Sequence, residues 1–260
     1  MDSKRRGELE KIALDVRKDV VRMFGLAHVG GISKVLRVVN VLVFLYWEYM
    51  KVFPAERKRA DRDRLVMGKG AAAPALYACL ARRGYFDRDE LWNYGRLGAV
   101  LQGYPDIRTP GIDAPWCAHG GCIGVASAMA DYLCSQGSGA RVFCVTDEEE
   151  MRSGVSWESA ISLMSDDGCR NFALIVESNR TADFPGKGLG AFGWKVTETI
   201  NDFMSMAGVF SGLDFSEPLP KAVIVRAEDA DYGDMPLSTD EVDSVLSGME
   251  NGAQDEWFRA

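Results

Sequence analysis

Residues 141–154 read Arg141-Val142-Phe143-Cys144-Val145-Thr146-Asp147-Glu148-Glu149-Glu150-Met151-Arg152-Ser153-Gly154. Val142 to Val145 is a short continuous apolar run, the pattern of a strand buried on both faces of a parallel sheet. The run passes directly into four carboxylates. A helical pattern then starts near Ser153 and carries Trp157, Ile161 and Met164 at spacings of four and three. Strand, tight turn and helix make up the unit with which α/β proteins hold ligands at the carboxyl ends of their strands. Such a turn ordinarily presents glycines and bare backbone N–H groups to an anion. This one presents Asp147, Glu148, Glu149 and Glu150.

Outward from that stretch, the pattern repeats. Phe172 to Val176 and Ala222 to Val225 are further apolar runs of strand length. Leu9, Ile12, Ala13, Val16, Val20 and Phe24 recur at helical spacing, giving an amphipathic first helix that the glycines 25, 30 and 31 interrupt around His28. Val35 to Met50 predicts one buried core helix, because Arg37, Asn40 and Glu48 interrupt it well before the roughly 20 apolar residues that a membrane span requires. Ala71 to Arg83 predicts a helix of small residues suited to close packing. Strands alternating with helices imply an α/β fold, a doubly wound and mostly parallel sheet flanked by helices. Residues 1–228 read as one domain and 229–260 as an acidic tail, expected to be poorly ordered in the isolated chain and to dock, if at all, through Trp257 and Phe258.

The chain has 260 residues, 47% of them hydrophobic, which is ample for a large buried core. Its formal charge of −8, with no basic cluster against it, argues against nucleic acid as a partner. The polar opening Met-Asp-Ser-Lys-Arg-Arg lacks the apolar segment of a secretory leader, so a cytoplasmic location is expected. Six scattered cysteines read as reduced thiols. Cys117 and Cys122 enclose His119, but no second ligand pair follows them in the manner of a zinc site.

Several short motifs resemble those of the transketolase family. Asp63-Arg-Leu-Val-Met-Gly-Lys-Gly-Ala-Ala-Ala-Pro74 is similar to its aspartate-arginine pair followed by Ser-Lys-Gly-His-Ala-Ala-Pro. Ala27-His-Val-Gly-Gly31 is similar to its Gly-His-Pro-Gly-Gly, and Gln102-Gly-Tyr-Pro105 to its Gln-Gly-His-Pro. Gly154-Val-Ser-Trp-Glu158 and Ala191-Phe-Gly-Trp194 match its Gly-x-x-Trp-Glu and Ala-Phe-Gly-Trp. These fall in family order from the first helix to about Val225.

The resemblance implies the N-terminal, diphosphate-binding subunit of a split transketolase-like enzyme, with thiamine diphosphate and Mg²⁺ as cofactors. Such an enzyme passes a two-carbon ketol unit from a sugar or keto donor to a carbonyl acceptor. It also implies a partner, a C-terminal pyrimidine-domain subunit, in an assembly with two copies of each chain. Carried over by position, Glu148, Asn179 and Thr181 would hold the metal. Gly120, Gly121, Asp147, Glu149 and Glu150 would face the cofactor, and His28 and Lys69 would serve catalysis. The departures lie at those same places. The family's Gly-Asp-Gly-Glu turn is Asp147-Glu148-Glu149-Glu150 here, its Gly-x-Leu-Gly-Gln-Gly segment is Cys117-Ala-His-Gly-Gly-Cys122, and two of its histidines are Ala71 and Tyr104. A chain that keeps the fold and scaffolds the partner without cofactor is the alternative reading.

Overall fold

A computed structural model describes residues 1–165, 171–179, 183–227 and 235–250. Its centre is a five-stranded sheet: β1 (Arg64–Met67), β2 (Val142–Asp147), β3 (Phe172–Asn179), β4 (Lys195–Ile200) and β5 (Lys221–Ala227). The strand order is β1-β2-β3-β5-β4, and all four neighbouring pairs are parallel. Parallel strands need crossovers, and helices on both faces supply them. The continuous apolar runs follow from that arrangement. Phe143, Val145, Ala173, Ile175, Val223 and Val225 face one layer, while Val142, Cys144, Leu174, Val176, Ala222 and Ile224 face the other.

The first layer holds α1 (Ser3–Ala27), α2 (Ile32–Arg37), α3 (Val39–Phe44), α4 (Ala73–Arg82), α8 (Phe203–Ser211) and α9 (Thr239–Glu250). The second holds α5 (Gly121–Ser135), α6 (Gly154–Ser165) and α7 (Phe184–Ala191). Asp2 caps the start of α1 by accepting the Arg5 N–H at 2.7 Å. His28 ends it in the left-handed conformation, φ 51°, with its own N–H turned back to Phe24. Gly25 therefore lies inside the helix and does not break it. Its role is a close approach, since a Cβ there would stand 2.6 Å from Val242 of α9.

Two expectations are corrected. The single helix over 35–50 is in fact α2, α3 and a π turn over Leu45–Tyr49. Asn40, just past the break at Val38, accepts from Arg17 at 2.8 Å and donates to the Asn201 carbonyl at 2.9 Å. These bonds tie α1, α3 and the segment before α8 together. The acidic segment from 229 onward is also not wholly unstructured. Ser238 and Glu241 form a capping box, with N–H to carboxylate at 2.7 Å, and α9 follows it. Met249 is buried, and Val242, Val245 and Leu246 pack on the core. Trp257 and Phe258 lie outside the described residues.

At the amino end of the strands, buried Asp63 accepts the backbone N–H groups of Lys51 (2.9 Å) and Arg141 (2.8 Å) and the Arg141 guanidinium at 2.6 Å. One carboxylate thus aligns the starts of β1 and β2. Removing it leaves Arg141 part-buried without its counter-ion, a situation that costs about 3–5 kcal/mol. Asp63→Ala should lower the urea midpoint accordingly, and an unchanged midpoint would show that the carboxylate does not hold the two strands in place.

Candidate functional site

The carboxyl ends of β1 and β2 open on a cavity of about 280 Å³. It is lined by Lys34, Lys69, Gly70, Ala71, Tyr104, Trp116, His119, Asp147, Glu149, Glu150 and Ser153. Its position follows from the topology, because the loops leaving parallel strands gather at that edge of the sheet.

Beneath it is a buried ionic network. Asp147 and Glu177 are cross-strand neighbours, so two carboxylates stand side by side at the ends of β2 and β3. Like charges in that relation repel. Lys69, only 2% exposed, resolves the repulsion by pairing with Glu177 and placing its Nζ 3.7 Å from Asp147. Arg37 of α2 closes on the other oxygen of Glu177. Lys69 is therefore not a surface residue. The chain turns it inward because Gly68 hugs β2, its N–H bonded to the Val145 carbonyl at 2.7 Å. A Cβ at Gly68 would meet Thr146 and that carbonyl at 3.0–3.2 Å.

The acidic turn spreads its side chains apart. Asp147 accepts the Glu150 N–H at 3.0 Å. Glu150 folds back to accept the Gly120 N–H at 2.6 Å, at the amino end of α5. Burial raises the Glu150 pKa above the ordinary carboxylate value, with Asp147 and Glu149 adding to the rise. Glu149 is exposed and pairs with Lys34 of α2 at 3.2 Å. Glu148 turns the other way, over the end of β3, where its Oε2 accepts from Ser178 Oγ (2.9 Å) and the Asn179 N–H (3.3 Å). Arg226 of β5 reaches the Asn179 carbonyl at 3.3 Å.

The far wall is aromatic. Trp116 donates its indole N–H to the Gly68 carbonyl at 2.9 Å, and Tyr104 stacks on it at 4.1 Å between centroids and 8° between planes. Gly70 permits this, since a Cβ there would lie 2.6 Å from the indole.

The sequence-derived residues divide accordingly. Lys69, Asp147, Glu149 and Glu150 reach the cavity, and Glu148 stands beside Asn179 next to it. Gly120 and Gly121 start α5, with Gly120 at φ 84° and no space for a Cβ, which would meet Ser156 Oγ at 2.0 Å. His28 caps α1 and does not line the cavity, whereas His119, the other histidine, does. Thr181 lies outside the described residues. Sequence reasoning missed Glu177, Arg37 and Trp116. A lone glutamate ending the apolar run Leu174-Ile-Val-Glu177 was the available signal, because a charge at a buried strand position demands a partner.

Comparison with known proteins gives this architecture its family. Residues 12–181 match the family described as transketolase, thiamine diphosphate binding domain. The chain belongs to the transketolase family. It is 30% identical over 222 residues to one of the subunits of an apulose-4-phosphate transketolase from Phocaeicola vulgatus, covering 80% of this chain and 78% of that one. It is 33% identical over 155 residues to a 6-deoxy-6-sulfo-D-fructose transketolase subunit of Clostridium sp., covering 59% and 56%. Among solved structures, a transketolase variant from Pichia stipitis superposes with a TM-score of 0.82 at 19% identity, and transketolase from Leishmania mexicana with 0.76 at 20%. Those alignments cover 93% and 84% of this chain but only 40% and 36% of the solved ones. This transketolase-family chain thus has the fold of the family's thiamine diphosphate-binding domain.

The residues present fit that cofactor at one corner. Glu148 beside Asn179 could give a hard cation two oxygen donors, a number that suffices when phosphate oxygens complete the shell. Among the described residues no group of three or more His, Cys, Asp or Glu forms a metal cage. The anion seat is different. Lys34 and Lys69, the lysines that line the cavity, each have a carboxylate partner, Lys69 in a buried pair and Lys34 in an exposed one.

Two outcomes follow. Lys69→Met leaves Asp147 without its cation beside Glu177, which Arg37 still pairs, and should cost about 3–5 kcal/mol by urea titration, most of it recovered by adding Asp147→Asn. No loss in the single variant would mean that the network contributes nothing. The raised pKa of Glu150 has a pH signature. Its proton stabilises the folded chain below the unfolded value of 4.5 and is lost as pH rises through the higher folded value. Glu150→Gln should therefore melt higher than wild type near neutral pH, with the difference vanishing below that window. A difference independent of pH would contradict this assignment.

Proposed function

We propose that this chain is the diphosphate-side subunit of a two-chain transketolase-like ketol transferase, completed by a separate pyrimidine-domain subunit. The observation that carries this reading is the match to a relative whose name makes it one subunit of a transketolase, aligned over 80% of this chain and 78% of that one. The chain spans less than half of the solved transketolases. In this reading Glu148 and Asn179 would hold a Mg²⁺ ion, whose charge would offset that of a bound diphosphate. Thiamine diphosphate supplies the carbanion chemistry of two-carbon transfer when bound. The chain's own residues orient and compensate. Arg37 and Lys69 keep Glu177 and Asp147 neutralised, and Lys34 offsets Glu149.

A second reading, a scaffold that binds no cofactor, is favoured by one observation: carboxylates stand at both glycine positions of the turn. Two like charges about 4 Å apart near a surface cost roughly 4 kcal/mol at an effective dielectric of 20, equivalent to nearly three decades in affinity.

Calorimetric titration of thiamine diphosphate into the co-expressed pair separates the two. The transferase reading expects weak binding that vanishes with chelator and strengthens at least tenfold in Glu149→Gly. Heat absent from both the wild type and an Asp147→Gly/Glu149→Gly variant leaves the scaffold. Two copies of each chain are expected by light scattering, and a monomer indifferent to the pyrimidine-domain chain would remove the two-chain reading itself.

A further inference from the structure

A second cavity lies at the opposite ends of the strands. It measures about 580 Å³ and sits by the amino end of β1, between the turn that precedes this strand and residues 107–113. In sequence, residues 57–64 mix their signs as Arg-Lys-Arg-Ala-Asp-Arg-Asp-Arg. The fold sorts them. Asp63 turns inward to Arg141. Arg62 grips Asp113 through both terminal nitrogens, and its Nε donates to the Arg57 carbonyl at 2.6 Å, which fixes the turn. Arg57, Lys58 and Arg59 are left to line the cavity, with Arg108 from the facing loop. In a chain of net charge −8, these four cations stand against Glu56 and the already paired Asp113.

A ligand can recruit these cations without stranding a carboxylate. Among the described residues Arg57 and Lys58 have no carboxylate partner. Arg59 meets Asp61 at 2.6 Å, but Lys51 meets the same carboxylate at 2.6 Å and stays when Arg59 turns away. The contact of Arg59 with Glu56 is longer, at 3.6 Å. Arg108 pairs with Asp106 at 2.9 Å, and that carboxylate also accepts the Arg108 backbone N–H at 2.8 Å. Exposed pairs of this kind add little to stability, so a multiply charged anion can compete for their arginines. The guanidinium fork suits phosphate as well as carboxylate.

The facing wall is apolar. Ile107, Pro110 and Ile112 come from one loop, and buried Tyr85 also borders the cavity. Gly111, at φ 94°, lets the loop close on that ring, since a Cβ there would stand 2.6 Å from it. Ile107 remains 64% exposed, an apolar surface that packing within the chain does not use. Four cations exceed what one phosphate monoester, with about two negative charges, can offset. We propose that this cavity binds a nucleoside polyphosphate, its phosphates on Arg57, Lys58, Arg59 and Arg108 and its base against Ile107, Pro110 and Ile112. The volume is within the range that encloses a ligand of that size, roughly 300–1,000 Å³. The site shares no residue with the acidic turn and is independent of the ketol-transfer reading.

The test is calorimetric titration of the full chain with ATP, inorganic triphosphate and adenosine. ATP should bind once per chain and more weakly as salt is raised. Triphosphate should bind at least fivefold more weakly than ATP, and adenosine should give no heat. Arg57→Glu/Lys58→Glu should lower ATP affinity at least tenfold, whereas Lys4→Glu/Lys11→Glu, the same change of net charge on α1, should leave it unaltered. Ile107→Ser should weaken ATP and not triphosphate. All these side chains are exposed or partly so and none is in the core, so the melting temperatures should match wild type. No ATP binding by the wild type, equal losses in the two charge-reversed variants, no loss in Arg57→Glu/Lys58→Glu, or triphosphate binding as tightly as ATP would each overturn the proposal. Any of these results leaves the transferase and scaffold readings as they stand.

Discussion

Two carboxylates at adjacent strand ends, Asp147 and Glu177, are the constraint around which this end of the molecule is arranged. Neither can be left unpaired in a buried setting. Lys69 comes from the loop after β1 and Arg37 from α2, so neutralising Glu177 draws three separate segments to one point. The consequence reaches the surface. A lysine spent on Glu177 is withheld from a ligand, and α2, held by Arg37, presents Lys34 to Glu149. The electrostatics of the cavity are set from underneath.

That dependence gives the departures from family motifs a physical logic. Carboxylates at two glycine positions would be intolerable if all faced one point. The turn disperses them: Asp147 down to Lys69, Glu148 across β3, Glu149 out to Lys34 and Glu150 back to the amino end of α5. What remains at the cavity is a carboxylate-rich floor and an aromatic wall of Trp116 and Tyr104. On the proposed reading, a hard divalent ion at Glu148 and Asn179 would be needed to accommodate an anionic cofactor.

The scaffold is conservative by comparison. Both faces of the sheet are covered, and Asp63 with Arg141 aligns the strand starts far from the cavity. Residues that hold the sheet and those that line the cavity belong to opposite ends of the strands, so the cavity can change without loss of the fold. Solved transketolases superpose on this chain at 19–20% identity, which illustrates that separation.

The sequence by itself determined the parallel sheet, because Val142–Val145, Phe172–Val176 and Ala222–Val225 are apolar on both faces and only a doubly covered sheet buries them. It also determined the position of the acidic turn, since a turn follows directly from where its strand ends. It said less about β4, whose edge position leaves Lys195 to Ile200 mixed in polarity, and about residues 35–50, where a run of valines does not reveal the breaks at Val38 and at Leu45. Only the tertiary structure decided that Lys69 points inward, that His119 and not His28 reaches the cavity, and that Tyr104 stacks on Trp116. Each depends on segments apart in the chain being brought within a few ångströms by β1, β2 and β3. Local periodicity reports which face of an element is buried; it is silent on which charge a buried lysine will meet.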